Sequence, residues 1–195
     1  MGRMIGSSSI SFDKPPFIIE GASIVGQKEG DGPLGKLFDV VEQDPMLGQE
    51  TWEEAESLLQ KEAIQKLLFK AGMSKEEIRY IFGGDLLGQL IATTFGILEF
   101  EVPFFGLYGA CSTMGEALSL GAVMVEAGNA DNVIAMASSH FASAERQFRF
   151  PLAYGNQRPY AATWTVTGCG AVIISTKKGF AKITGITTGK IVDLE

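Results

Sequence analysis

Apolar residues recur at helical spacing through Trp52, Ala55, Leu59, Ala63 and Leu67, the period of one buried helix face. Thr51 stands just before the run with Glu54 three positions on, the pairing of a capping box. Gly72 follows it, where a helix C-terminus favours glycine. A helix is therefore predicted between Thr51 and Gly72. Ser74-Lys75-Glu76-Glu77 repeats the capping pattern and opens a short turn. Asp85 is placed to cap a further helix running to Phe95. Another helix is expected from the Gly109-Ala110-Cys111-Ser112 turn to about Ala127, closed by Gly128.

Between these lie short apolar runs that read as strands: Pro16–Val25, Ile78–Gly83, Val102–Tyr108, Asn132–Ser138 and Gly170–Thr176. Phe180–Val192 alternates weakly and reads as an edge strand. Gly26–Gln49 is rich in glycine and proline and is expected to be an ordered loop, with one helical turn over Leu34–Val41. Residues 1–15 are rich in Ser and Gly and read as a flexible lead-in, leaving 16–195 as the folded unit. Strands alternate with helices, so the class is α/β, with a mostly parallel sheet of about five strands. The helix after Cys111 stands apart. Its only charges are Glu116 and Glu126, and Met114, Ala117, Leu118, Leu120, Ala122, Val123, Met124 and Val125 surround its axis. A helix apolar all round is buried all round, so it is expected either to sit in a tightly packed single-sheet core or to lie between two layers, with the second layer absent from this chain.

Composition narrows the possible functions. The chain has 195 residues, 46% of them hydrophobic, and a formal net charge of −7. That balance disfavours a nucleic-acid surface, which needs clustered Lys and Arg. Two cysteines, Cys111 and Cys169, and one histidine, His140, are too few for a protein-made zinc site or a secreted disulfide scaffold. No apolar run reaches the roughly 18 residues of a spanning segment.

The candidate chemistry gathers at strand ends. Cys111 sits at a strand–helix junction, where unpaired amides and the helix dipole favour a thiolate or a bound carboxylate. Its alternative is a small, inert core thiol. His140 follows a strand at the edge where open α/β sheets collect ligands, and its alternative is a hydrogen-bonded structural histidine. Gly30-Asp31-Gly32-Pro33-Leu34-Gly35 matches G-x-G-x-x-G, but Pro33, Asp31 and Pro45 argue for a plain turn. Ala144–Pro151, with Arg146 and Arg149, and Arg158 beyond, is the densest basic patch. It reads as an anion or subunit contact, or else as a solvated segment.

Several blocks carry a resemblance. The helix after Thr51, the Ala71-Gly72-Met73-Ser74 turn, Gly83-Gly84-Asp85, Gly109-Ala110-Cys111-Ser112 and Gly168–Ser175 look like the N-terminal half of a thiolase-like fold. Lys28–Gly35, Gly84-Asp85-Leu86-Leu87, Phe105–Thr113, Ser138-Ser139-His140, Ala144–Arg149 and Thr165–Gly168 resemble, more narrowly, the stage V sporulation protein AD family of endospore formers. The likeness runs over about residues 12–194. It implies one half of an αβαβα five-layer fold, with the chain ending near the junction of the halves. It also implies binding of dipicolinic acid without turnover, with or without calcium, during its uptake into the developing spore. By that resemblance Cys111 takes the place of the thiolase nucleophile, with its helix N-terminus facing a carboxylate; Asp85, His140 and Arg146 lie in matching blocks, and the chemistry of their side chains, not the resemblance, assigns them to the ligand. The partners would be membrane subunits of the same transport system, at the cytoplasmic face of the spore inner membrane. A homodimer is expected, with Asn132–Ser138 as its seam. No cofactor, protein-bound metal or nucleic acid is implied. The competing expectations are an acyltransferase of the ketoacyl-synthase type with Cys111 as nucleophile, and a non-functional half-chain.

Overall fold

A computed structural model describes residues 2–143 and 165–193. Its main sheet holds seven strands: β3 (Phe17–Gly26), β4 (Val40–Glu42), β5 (Tyr80–Asp85), β6 (Phe104–Gly106), β7 (Asn132–Ser139), β8 (Gly168–Ser175) and β9 (Ala181–Lys182). The order is β4-β3-β8-β7-β5-β6, with β9 beside β3. Strands β4, β3, β7, β5 and β6 point one way, and β8 and β9 run against them. The sheet is thus mostly parallel in direction, as expected, but larger than the five strands anticipated.

Helix α2 (Trp52–Ala71) and helix α3 (Ile91–Ile97) cover one face, and helix α4 (Thr113–Glu126) covers the other. The alternation of each strand sorts the core between them. Ile81, Ile134 and Ile173 join the cluster with Leu59, Ala63, Ile64 and Leu67 of α2. Their neighbours Phe82, Val133, Ala135 and Ile174 join Ala117 and Val125 of α4.

Both caps of α2 form as predicted. Thr51 Oγ1 accepts the Glu54 N–H at 3.2 Å, Glu54 accepts the Thr51 N–H at 3.0 Å, and Gly72 closes the helix at φ 62°. Asp85 ends a strand and caps at a distance: it accepts the Leu90 and Thr93 amides at the start of α3, which begins at Ile91. The Gly26–Gln49 stretch holds a short helix α1 (Gln27–Gly30), a 3₁₀ turn at Gly35–Leu37, and β4. In its glycine motif the Asp31, Gly32 and Gly35 amides bond to backbone carbonyls inside the loop, which makes it a turn and leaves those donors spent.

Three expectations need correction. The first fifteen residues contain β1 (Arg3–Ile5) and β2 (Ser9–Ser11), which pair antiparallel. Strand β10 (Gly185–Thr187) joins them in a second small sheet, so the expected edge strand at 180–192 is divided between two sheets. Strand β7 is hydrogen-bonded to β5 on one side and β8 on the other; it has no free edge and cannot be an edge-to-edge seam. Helix α4, expected to need a second layer that this chain lacks, is covered on part of its circumference only among the described residues. Thr113, Ala117, Gly121, Ala122 and Val125 are buried, whereas Leu120 is 43% exposed. Among the described residues no helix is long and apolar enough to cross a membrane.

Candidate functional site

The strand directions bring the ends of β3, β4, β5, β6 and β7 and the start of β8 to one edge of the sheet. Cys111, Asp85 and His140 all belong to that edge, as the sequence suggested, but their surroundings differ.

Cys111 is exposed. It lies in a 3₁₀ turn, Ala110–Ser112, that runs directly into α4. Ala110 adopts φ 47°, a left-handed conformation costly for a residue with a Cβ, so the elbow is strained beside the thiol. The turn is braced around it. The Ser112 hydroxyl lies 2.6 Å from Glu116 Oε1 and 2.8 Å from the Gly109 carbonyl. The Thr113 hydroxyl oxygen accepts the Gly109 N–H at 3.3 Å.

His140 is fully buried. Its Nε2 lies 2.8 Å from the Pro45 carbonyl and its Nδ1 accepts the Ala142 N–H at 3.2 Å. That pair of contacts defines the tautomer: the proton is on Nε2 and the ring is neutral. Trp52 and Phe141 pack on it at centroid distances of 5.3 and 5.1 Å. Burial holds the imidazole below its ordinary value, against the pull of the Pro45 carbonyl and Glu53. Both nitrogens are spent internally, so the structural alternative describes this residue.

Asp85 is also fully buried. Its Oδ2 accepts the Thr93 hydroxyl at 2.8 Å and the Thr93 N–H at 3.3 Å, and its Oδ1 accepts the Leu90 N–H at 3.3 Å. It faces the protein interior and braces the entry to α3. Arg146, with Arg149 and Arg158, lies outside the described residues. Ser138 and Ser139 point apart, as adjacent strand residues must. Ser138 bonds to Glu56, and Ser139 bonds to the Val166 carbonyl.

Behind this edge lies a buried polar chain that the sequence reading missed. Gln60 Nε2 donates to the Thr93 hydroxyl at 3.1 Å and to the Ser138 hydroxyl at 2.6 Å. Thr93 then donates to Asp85, and Ser138 donates to Glu56 Oε1 at 2.7 Å. One amide thus feeds two carboxyl groups through two hydroxyls. Glu56 and Gln60 look like the polar face of α2, yet they lie in one helical row with Ile64 and Leu68, both buried. An apolar row that turns polar toward the strand ends is the signal that marks them. Burial pushes the Glu56 carboxyl above the ordinary range, and the Asp85 and Glu53 carboxylates add to this against the Ser138 and Ser143 hydrogen bonds.

Near His140 a cavity of about 290 Å³ opens at the same edge, walled by Gln27, Lys28, Glu42, Asp44, Phe141 and Thr167 among others. Its wall carries both signs of charge. Among the described residues no group of three or more His, Cys, Asp or Glu is arranged to hold a metal ion.

Known proteins resemble this arrangement in sequence and in fold. The stage V sporulation protein AD (SpoVAD) family model matches residues 6–195. The stage V sporulation protein AD of Bacillus subtilis (strain 168) is 40% identical over 192 residues, which cover 98% of this chain and 57% of that protein. The chain therefore spans somewhat over half the length of this relative. Among solved structures, the 3-oxoacyl-[acyl-carrier-protein] synthase III of Aquifex aeolicus VF5 superposes with a TM-score of 0.52 at 19% identity, covering 82% of this chain and 53% of that one. The acyltransferase ChlB3 superposes at 0.51 with 17% identity, covering 86% and 52%. At such identities the likeness concerns the fold alone, one half of a thiolase-like synthase. The family model that spans all but the first five residues and the closeness to the Bacillus protein speak to ancestry as well, and by them this chain belongs to the stage V sporulation protein AD family.

Proposed function

We propose that this chain supplies the ligand-facing edge of a non-catalytic, thiolase-like binding protein. The ligand in this reading is dipicolinic acid, alone or as its calcium chelate, on its way into the developing spore. The observation that carries the reading is that, among the described residues, Cys111 and the histidine do not meet. The thiol is exposed on a strained elbow at the start of α4, while the chain's one histidine is buried with both nitrogens bonded internally. A nucleophile needs a neighbouring base or another source of activation; a carboxylate-binding elbow needs only donors. Cys111 and the amides around it would meet one carboxylate, and Arg146 would supply a planar cation for the other. Glu42 and Asp44 in the cavity wall repel a bare dianion, which favours the neutral calcium chelate there. Asp85 and His140 serve this edge from behind, as supports. The protein would act as a peripheral homodimer with the membrane subunits of the same transport system, at the cytoplasmic face of the spore inner membrane.

Titration calorimetry with dipicolinate, with and without calcium, tests this. Binding is expected, and it should weaken at least several-fold in Cys111→Ala and in Arg146→Ala. Absence of heat at millimolar ligand, with the protein folded, removes the proposal. The exposed thiol at an elbow shared in fold with acyl-transferring synthases favours a second reading, acyl transfer through Cys111. Incubation with acyl-CoA followed by mass spectrometry separates the two: an adduct on Cys111 supports transfer, and an unchanged mass supports binding alone.

A further inference from the structure

The end of the sheet opposite Cys111 gathers lysines, in a chain whose formal net charge is −7. β3 starts there at Phe17, with Ser175, the last residue of β8, on one side and Lys182 of β9 on the other. The turn between those two neighbours, Thr176-Lys177-Lys178-Gly179-Phe180, therefore crosses the start of β3. Gly179 lies so close to the Ile18 carbonyl that a side chain there would overlap it. The Lys177 N–H donates to the Ser175 hydroxyl at 3.0 Å. The turn is pinned by these contacts, and Lys177, Lys178 and Phe180 stand out into solvent, Phe180 with 73% of its surface exposed. Lys14, also exposed, precedes β3, and the Pro16 carbonyl beside it accepts the Ile183 N–H at 2.9 Å. An open hollow of about 500 Å³ lies between these segments, walled by Lys14, Pro16, Phe17, Val125, Glu126 and Lys182 among others.

We propose that this end of the molecule is a docking surface for anionic lipid headgroups, with Lys14, Lys177, Lys178 and Lys182 meeting phosphates and Phe180 entering the headgroup layer. Each lysine near an anionic leaflet adds to the attraction, and its long stem lets the charge reach the surface. Four lysines spread over three segments match a plane of many phosphates; a fitted site for one acid favours the planar fork of arginine. Arg3, in β1, already holds Asp13 at 3.4 Å. The exposed ring points the same way. An aromatic side chain left in water beside cations gains by entering the interface of a bilayer, and gains nothing from a soluble anion. The other acids of this end are Glu126, in the wall of the hollow, and Asp131, whose main-chain carbonyl accepts the Thr176 N–H at 3.1 Å, so the lysines outnumber them. The inference shares with the proposed function only its peripheral seat. Because β3 runs from this end to the ligand-facing edge, a chain docked here turns that edge away from the bilayer.

Co-sedimentation of the whole chain with vesicles, in the absence of dipicolinate, tests this apart from ligand binding. The chain should bind phosphatidylcholine vesicles containing one-third phosphatidylglycerol and not vesicles of phosphatidylcholine alone, and added salt should release it. Lys178→Glu should weaken partitioning about fivefold or more, and the double variant with Lys177→Glu about twentyfold or more. Phe180→Ser should weaken it several-fold. Lys36→Glu, at an exposed lysine of the 3₁₀ turn Gly35–Leu37, should change it little. A wild-type Tm for each variant shows that its fold is kept. Failure of the folded wild type to bind the anionic vesicles overturns the proposal, as does equal binding to both kinds of vesicle. So does a loss in Lys36→Glu as large as that in Lys178→Glu, which would reduce the effect to net charge. Release by inorganic phosphate at matched ionic strength would assign the lysines to a soluble anion, and retention on polyglutamate without vesicle binding would assign them to an acidic protein; either result overturns the lipid assignment.

Discussion

The two thiols show how strongly surroundings decide what one residue type can do. Cys111 is exposed on its turn, and Cys169 is buried in β8 beside Glu56, where desolvation pushes its thiol far up. Only a thiolate attacks. A maleimide should therefore add one label to the native protein, at Cys111, and a second only in denaturant. Rapid double labelling of the native chain would contradict the burial of Cys169. The sequence showed that Cys111 and His140 share an edge, because each follows a strand. It did not show which way their side chains face. His140 turns inward because Pro45, some ninety-five residues earlier, offers it a carbonyl inside an aromatic nest with Trp52 and Phe141. No local pattern encodes a partner so distant along the chain.

Among the elements, those with local signals were legible. α2 is bounded by a capping box and a left-handed glycine, both set by residues within one turn of the helix end. Thr51→Ala should cost about 1 kcal/mol, and Gly72→Ala roughly 1–2 kcal/mol because φ is positive there; urea denaturation would measure both. A loss near zero for Thr51→Ala would mean that the observed cap is not retained in solution. Elements defined by distant pairing were not legible. β4 is three residues long and β9 only two, and each is a strand only because β3 lies alongside. The hairpin of β1 and β2 is completed by β10 from the opposite end of the chain. The buried polar chain through Glu56 and Gln60 was missed because helical periodicity ranks a face by its apolar residues, and this row changes character midway along α2.

On the scale of the whole molecule, α4 links sequence and family. The sequence pattern called for cover on every side of it, and the described chain covers part of its circumference. The chain spans 57% of its Bacillus relative and superposes on about half of the synthase chains. Stability, in contrast, is set by groups inside this half. Glu56 and His140 flank the same turn with opposite proton preferences. Glu56 is raised in the fold, so its contribution is complete below about pH 4.5 and declines as pH rises toward its folded value. His140 is lowered, so its contribution is complete above about pH 6.5 and declines as pH falls. Across the interval between those values the two slopes oppose each other, and the wild-type melting profile should be shallow. Removing one partner unmasks the other. In Glu56→Gln, Tm should fall more steeply toward acid than in the wild type, because only the His140 loss remains. In His140→Gln, Tm should instead climb toward acid relative to the wild type. Comparing variants at each pH cancels the exposed carboxylates common to all of them, and the double variant reports the coupling across the turn. Parallel profiles for all four proteins would mean that neither group changes its protonation on folding.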